Sequence, residues 1–175
     1  MLSTSEEHTL RVNDILHDSI ADGPGLRFVV FFQGCHRRCP GCHNPQTHDP
    51  RGGRLVSLSE LTRAMSGNPM LRGLTLSGGE PFLQAAAAAR LASEARALGL
   101  DVWCYTGMTW EELNAPGAPP EWRELLERID VLADGPFILQ RRSLELEWRG
   151  SCNQRLIDVK ASINGGEMVE YYSKG

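Results

Sequence analysis

The chain has 175 residues, 41% of them apolar, with 22 acidic and 18 basic side chains and a net charge of −4. That length favours one domain with a substantial core, and the acidic balance argues against a general binder of nucleic acid or anionic membrane. No apolar run approaches the roughly 18 residues of a membrane span, and the first residues lack the basic start and apolar stretch of a signal peptide, so a cytoplasmic location is expected.

In chain order, short apolar runs alternate with helical patterns. Residues 9–16, TLRVNDIL, suit a leading strand, and 26–34, LRFVVFFQG, suit a buried one. A cysteine-rich loop follows. Residues 57–65 read as a helix that Ser57 or Ser59 can cap, with Glu60 in its first turn. Residues 73–79 read as a strand ending in a glycine turn, followed by an alanine-rich helix that Gly99 ends. A strand over 100–107, a helix over 119–129 with prolines at its start, and strands over 130–135 and 154–161 complete the pattern. The expected organisation is a single domain, 1–175, with a core of about 9–161 and a C-terminal tail over 162–175.

This alternation predicts parallel strands joined by right-handed crossovers. Five or six units are too few for a closed eight-stranded barrel of about 250 residues. A partial barrel or an open α/β sheet is left, and in both, ligands collect at the C-terminal ends of the strands. Cys35 to Cys42 follow the first buried strand and Gly78-Gly79-Glu80-Pro81 the second. Tyr105-Thr106-Gly107 follow the third and Asp134-Gly135 the fourth.

The chain has five cysteines. Cys35, Cys39 and Cys42 fall at C-x3-C-x2-C spacing, with His43 next. A disulfide framework would spread an even number along the chain, so clustered thiols point to metal or redox chemistry. Unrelated buried cysteines are not expected to crowd into so short a stretch. A Cys3His zinc site needs a fourth ligand, yet His43 adjoins Cys42 and no second ligand pair follows. An iron–sulfur cluster is the third reading. A 4Fe–4S cube is commonly held by four thiolates, and three leave one iron open to a ligand that is not protein.

The C-x3-C-x2-C pattern resembles the signature of the radical S-adenosylmethionine enzymes. The resemblance implies that Cys35, Cys39 and Cys42 hold a 4Fe–4S cluster and that S-adenosyl-L-methionine chelates the open iron. SGGEPF, residues 77–82, resembles the family's GGE motif. It implies that the backbone of Gly78 and Gly79 approaches the methionyl end of the ligand and that Glu80 accepts from its ammonium group. Many members place an aromatic residue before the third cysteine, facing adenine. Gly41 stands there, which implies a backbone contact, with Cys42 and His43 beside the same ligand.

DGPGLRFVVFFQGC, residues 22–35, resembles the approach to the cluster in glycyl-radical enzyme activases, and Asp22, Gly23 and Pro24 are expected to serve the partner at the rim. CPGCHNPQT, WCYTG (103–107), DVLADGPF (130–137) and RGSCNQR (149–155) resemble the branch serving anaerobic ribonucleotide reductase. The resemblance implies an incomplete α/β barrel of five to six mostly parallel strands and an oxidoreductase that cleaves S-adenosyl-L-methionine reductively. Its partners would be the large subunit of that reductase and a low-potential donor such as flavodoxin or ferredoxin, with no nucleic acid or membrane. One departure is Asp134-Gly135-Pro136, where the pyruvate formate-lyase branch carries Asp-x-Lys. The alternatives are an activase of that other type and a non-catalytic zinc-binding module. Cys104, between Trp103 and Tyr105 on a strand, and Cys152 are expected to lie outside the cluster.

Overall fold

The computed structural model describes residues 9–172. Seven strands form one open sheet: β1 (Thr9–Ser19), β2 (Arg27–Phe32), β3 (Arg54–Ser57), β4 (Gly73–Gly78), β5 (Asp101–Tyr105), β6 (Val131–Asp134) and β7 (Arg155–Asp158). Their order is β3-β1-β2-β4-β5-β6-β7. The helices are α1 (Leu58–Ser66), α2 (Ala85–Ala97), α3 (Trp110–Leu113), α4 (Pro120–Leu126) and α5 (Val159–Gly165).

The middle of the sheet is parallel, as expected: β2 with β4, β4 with β5 and β5 with β6. The edges correct the expected count of five to six, while the mostly parallel character holds. Among the described residues there are seven strands, five of them running the same way, and β1 runs antiparallel to both β2 and β3, as β7 does to β6. The reason lies in the connections. A parallel return needs a long crossover, usually a helix. Between β1 and β2 there is only a turn, and between β6 and β7 the one regular piece is a 3-10 turn, Leu139–Arg141.

The two faces of the sheet follow the two-residue alternation of strand side chains. Phe28, Val30 and Phe32 of β2, Leu74 and Leu76 of β4, Val102 and Cys104 of β5 and Leu132 of β6 face one continuous core. Leu61 and Met65 of α1, Leu91 and Ala92 of α2, and Leu125 and Leu126 of α4 close it. Each fully buried Leu or Phe there stabilises by about 1.5–3 kcal/mol over exposure. The alanine run of α2 is a packing device: Ala85, Ala87, Ala88, Ala89, Ala92 and Ala95 are all buried, since this helix touches sheet, α1 and α4 together. The α1 start is capped as expected, with the Ser57 hydroxyl accepting from Glu60 N at 3.2 Å.

The opposite face carries a smaller cluster of Trp103, Val131, Ala133 and Leu156, joined by Tyr105, Trp148 and Tyr171. The segment after Ala161 is tied to this sheet. Tyr171 N donates to Leu156 O at 2.8 Å, and its ring meets Trp103 edge-on at 5.4 Å.

Candidate functional site

The loop between β2 and β3 is tied down by hydrogen bonds. Gly34 N donates to Thr47 O at 2.7 Å and Cys35 N to His48 O at 3.3 Å. The side-chain amide of Gln33 donates to the carbonyls of Gln46 and Asp49 at 3.0 and 2.7 Å. Inside this frame Cys42 N donates to Cys39 O at 3.0 Å, in a turn where Gly41 adopts φ +73°. A Cβ on Gly41 would also sit 2.9 Å from Leu139.

Two sulfurs receive backbone amides. Asn44 N donates to Cys42 Sγ at 3.4 Å. Burial pushes the Cys35 thiol up, while the amides of Arg37 and Arg38, aimed at its sulfur, work the other way. Hydrogen bonds to sulfur are one of the levers that proteins use on thiolate-bound iron.

Cys35, Cys39 and Cys42 line a single cleft of about 780 Å³, within the usual size of ligand sites. The C-terminal ends of the parallel strands bring Phe31, Ser77, Gly78, Gly79, Tyr105, Thr106 and Gly135 to the same cleft. Asp22, His43, Trp148, Arg149 and Gln154 complete it. Among the described residues, no three His, Cys, Asp or Glu side chains converge on a single-ion site.

The glycine pair lines the cleft and also packs closely against the chain. Gly78 has φ +91°, and a Cβ there would lie 2.5 Å from Phe32 N. A Cβ on Gly79 would lie 2.3 Å from Gly34 O. Glu80 is buried, 3% exposed, and is not part of the cleft lining. Its carboxylate accepts from Phe82 N at 3.1 Å, Gly107 N at 2.9 Å and the Thr106 hydroxyl at 2.9 and 3.0 Å. Burial raises its pKa, and those amides and the hydroxyl oppose the rise. These bonds join the ends of β4 and β5.

His43 packs its ring on Phe137 at a centroid distance of 4.9 Å. Asp22 lines the cleft, and its carboxylate accepts from the Ser19 hydroxyl at 2.5 Å. Gly23 and Pro24 lie against Arg27: Pro24 O accepts from Arg27 Nη1 at 3.1 Å. Cys104 faces the helical core and Cys152 is exposed, both away from the three thiols. Trp103 is core, as aromatic strand residues usually are, whereas Tyr105 reaches the cleft.

A family model described as a 4Fe-4S single cluster domain matches residues 21–157, from the turn before Asp22 through the last cleft-lining residue. The chain belongs to the 4Fe-4S single cluster domain family. The anaerobic ribonucleoside-triphosphate reductase-activating protein of Enterobacteria phage T4 is 34% identical over 141 residues, covering 77% of this chain and 85% of its own. The protein of the same name from Vibrio cholerae serotype O1 is 35% identical over 148 residues, covering 77% and 89%. The pyruvate formate-lyase-activating enzyme of Clostridium pasteurianum is 42% identical over 83 residues, covering 42% of this chain and 33% of its own. The donor set suits a 4Fe-4S single cluster domain: three thiols, amides aimed at two of the sulfurs, and room for far more than one ion.

Sequence reasoning missed Arg27. It is 0% exposed, and its guanidinium reaches Thr75 Oγ1 at 2.7 Å, Leu74 O at 2.9 Å and Asp101 Oδ1 at 2.7 Å. The signal was present: an arginine inside the apolar run LRFVVFF must find partners on a buried strand. Gln154, inside the RGSCNQR motif, braces the cleft wall, accepting from Gly150 N and Ser151 N at 2.9 and 3.2 Å and donating to Gly135 O at 3.0 Å.

Proposed function

We propose that the chain is a glycyl-radical activase. It holds a 4Fe–4S cluster through Cys35, Cys39 and Cys42 and uses S-adenosyl-L-methionine to generate a glycyl radical on anaerobic ribonucleotide reductase. The observation that carries this is the meeting of three thiols and the Gly78-Gly79 turn in one cleft at the C-terminal ends of parallel strands. The relatives support the reductase as partner: those named for it match 77% of the chain, against 42% for the pyruvate formate-lyase type. The four central parallel strands, helices on one face and cleft on the other, are read as the incomplete barrel of this enzyme class.

When bound, the cluster supplies the electron for reductive cleavage of S-adenosyl-L-methionine, whose nucleoside fragment takes the hydrogen atom from the partner's glycine. The chain's own residues do the positioning. The Gln33 clamp and the Gly34 and Cys35 amides fix the loop that presents the thiols. Glu80 locks the end of β4 to that of β5, so the Gly78-Gly79 backbone meets a ligand as a fixed edge. Cys42 and His43 form the adjoining edge, with His43 steadied by Phe137, and Gly41, in the turn just before them, is assigned a backbone contact to the same ligand. Asp22 stands at the mouth and is assigned, with Gly23 and Pro24, to the partner side. The partner offers a polypeptide loop, which needs a wide entrance, and Leu144, 87% exposed, marks an open rim. The electron is assigned to a low-potential carrier of the flavodoxin or ferredoxin kind.

The test is anaerobic reconstitution with iron and sulfide, then incubation with S-adenosyl-L-methionine and dithionite. Methionine and 5′-deoxyadenosine are expected, and a glycyl radical signal when the reductase is added. A colourless zinc protein without cleavage would overturn the reading.

A further inference from the structure

We propose that Arg149 binds the carboxylate at the amino-acid end of S-adenosyl-L-methionine, an inference that rests on the function proposed above. An α-amino-acid end brings a carboxylate into the cleft, and a carboxylate leaving water needs a charged or hydrogen-bonding partner. The cleft-lining cations are Arg37 and Arg149, with His43 and His48 as weaker candidates. Arg37 is engaged by Glu112 at 2.5 Å, and His43 spends its ring on Phe137.

Arg149 is different. It is half-buried and enters none of the ion pairs among the described residues. Among the described residues its side chain makes one hydrogen bond, a long one, Nη1 to Gln154 O at 3.3 Å. Its Nε is buried and has no partner. A guanidinium carries five donors in a planar fork that matches a carboxylate, so most of this fork is uncommitted. Its neighbour in the same motif, Arg155, shows the contrast by pairing with both Asp134 and Glu111.

The surroundings hold Arg149 in place. Gln154 ties the Gly150–Ser151 turn to Gly135 at the end of β6. On the other side, Trp148 sets its ring edge-on to Trp103 at 5.1 Å. The RGSCNQR segment thus presents a fixed cation to the cleft from the β7 side. The Gly78-Gly79 turn faces the same space from β4.

The experiment is equilibrium dialysis of reconstituted wild type, Arg149→Met and Arg149→Lys against labelled S-adenosyl-L-methionine and against its decarboxylated analogue. Iron content is measured in parallel. Arg149→Met is expected to weaken S-adenosyl-L-methionine by about 10- to 100-fold, the worth of a charged hydrogen bond, and to change the analogue by less than about three-fold. Arg149→Lys is expected to fall between, because it keeps the charge and loses the fork. If Arg149→Met loses its iron, Arg149→Lys decides alone, by weakening the carboxylate ligand more than the analogue. Equal losses for both ligands, or wild-type affinity in both variants, would overturn the inference while leaving the activase reading intact. Wild type that carries iron and binds neither ligand would overturn both.

Discussion

Gly79 lies against the carbonyl of Gly34: a Cβ on Gly79 would stand 2.3 Å from that oxygen, which also accepts from Glu80 N at 2.8 Å. The glycine turn after β4 and the first residue of the cysteine loop are thus one contact. Gly79→Val must therefore push the cysteine loop as well as any ligand. It is expected to lower iron content after reconstitution, and to cost about 1–3 kcal/mol from overpacking. Iron content and urea unfolding check this. Full iron in the variant would contradict this coupling between the glycine turn and the cysteine loop.

Arg27 binds Asp101, Thr75 and the carbonyls of Pro24 and Leu74 from a fully buried position. Arg27→Met is expected to destabilise by about 3–5 kcal/mol, because it strips buried acceptors of their donor. Asp101→Asn should cost less, about 1–3 kcal/mol, because it takes the counter-charge from a fully buried guanidinium but leaves an acceptor oxygen in place. Urea midpoints compare them, and similar losses in the two variants would contradict the asymmetry.

Asp130 joins three elements. It accepts from Arg96 of α2 at 3.1 Å and Val102 N of β5 at 2.8 Å, and pairs with Lys160 of α5 at 2.7 Å. Burial opposes its ionisation, but Lys160, the Val102 amide and Arg96 outweigh it and hold the carboxyl below its usual 3.8. A carboxylate whose folded pKa is depressed gives stability above its unfolded pKa, and that stability is lost as pH falls through the folded value. Asp130→Asn should therefore be less stable than wild type by about 1–3 kcal/mol at pH 7. The difference should shrink below about pH 3.8. Thermal melts across acid pH check it, and a constant gap would refute it.

Cys104 is fully buried and Cys152 is exposed. Burial raises the Cys104 thiol well above its ordinary value, so it behaves as a small hydrophobe. The double variant Cys104→Ser, Cys152→Ser should keep its iron. It should lose about 1–3 kcal/mol, from the hydroxyl at position 104. A drop in iron per chain in a folded double variant would make one of them a ligand.

The middle of the sheet was legible because fully buried parallel strands read as unbroken apolar runs, as in LRFVVFF and GLTL. The motif positions were legible for the same reason, since each follows such a run. The edges were not. β3 has four residues with Val56 alone buried, too little to register as a pattern. The antiparallel return of β7 depends on a connection without a helix, and composition does not announce that. The split between Cys104 and its neighbours followed directly from strand alternation. The work of Glu80 and Arg149 did not, because it depends on partners many residues away: Thr106 and Gly107 for the first, and for the second a cleft wall that the fold alone creates.

The Gln33 clamp has a final consequence. The cysteine loop is tied at both ends by Gly34–Thr47, Cys35–His48 and the Gln33 side chain. Small zinc modules draw their folding energy from the ion and collapse when it is stripped. The ties of this loop are made by the protein's own groups, so iron loss should deactivate this protein without denaturing it, and the same molecule should accept iron and sulfide again.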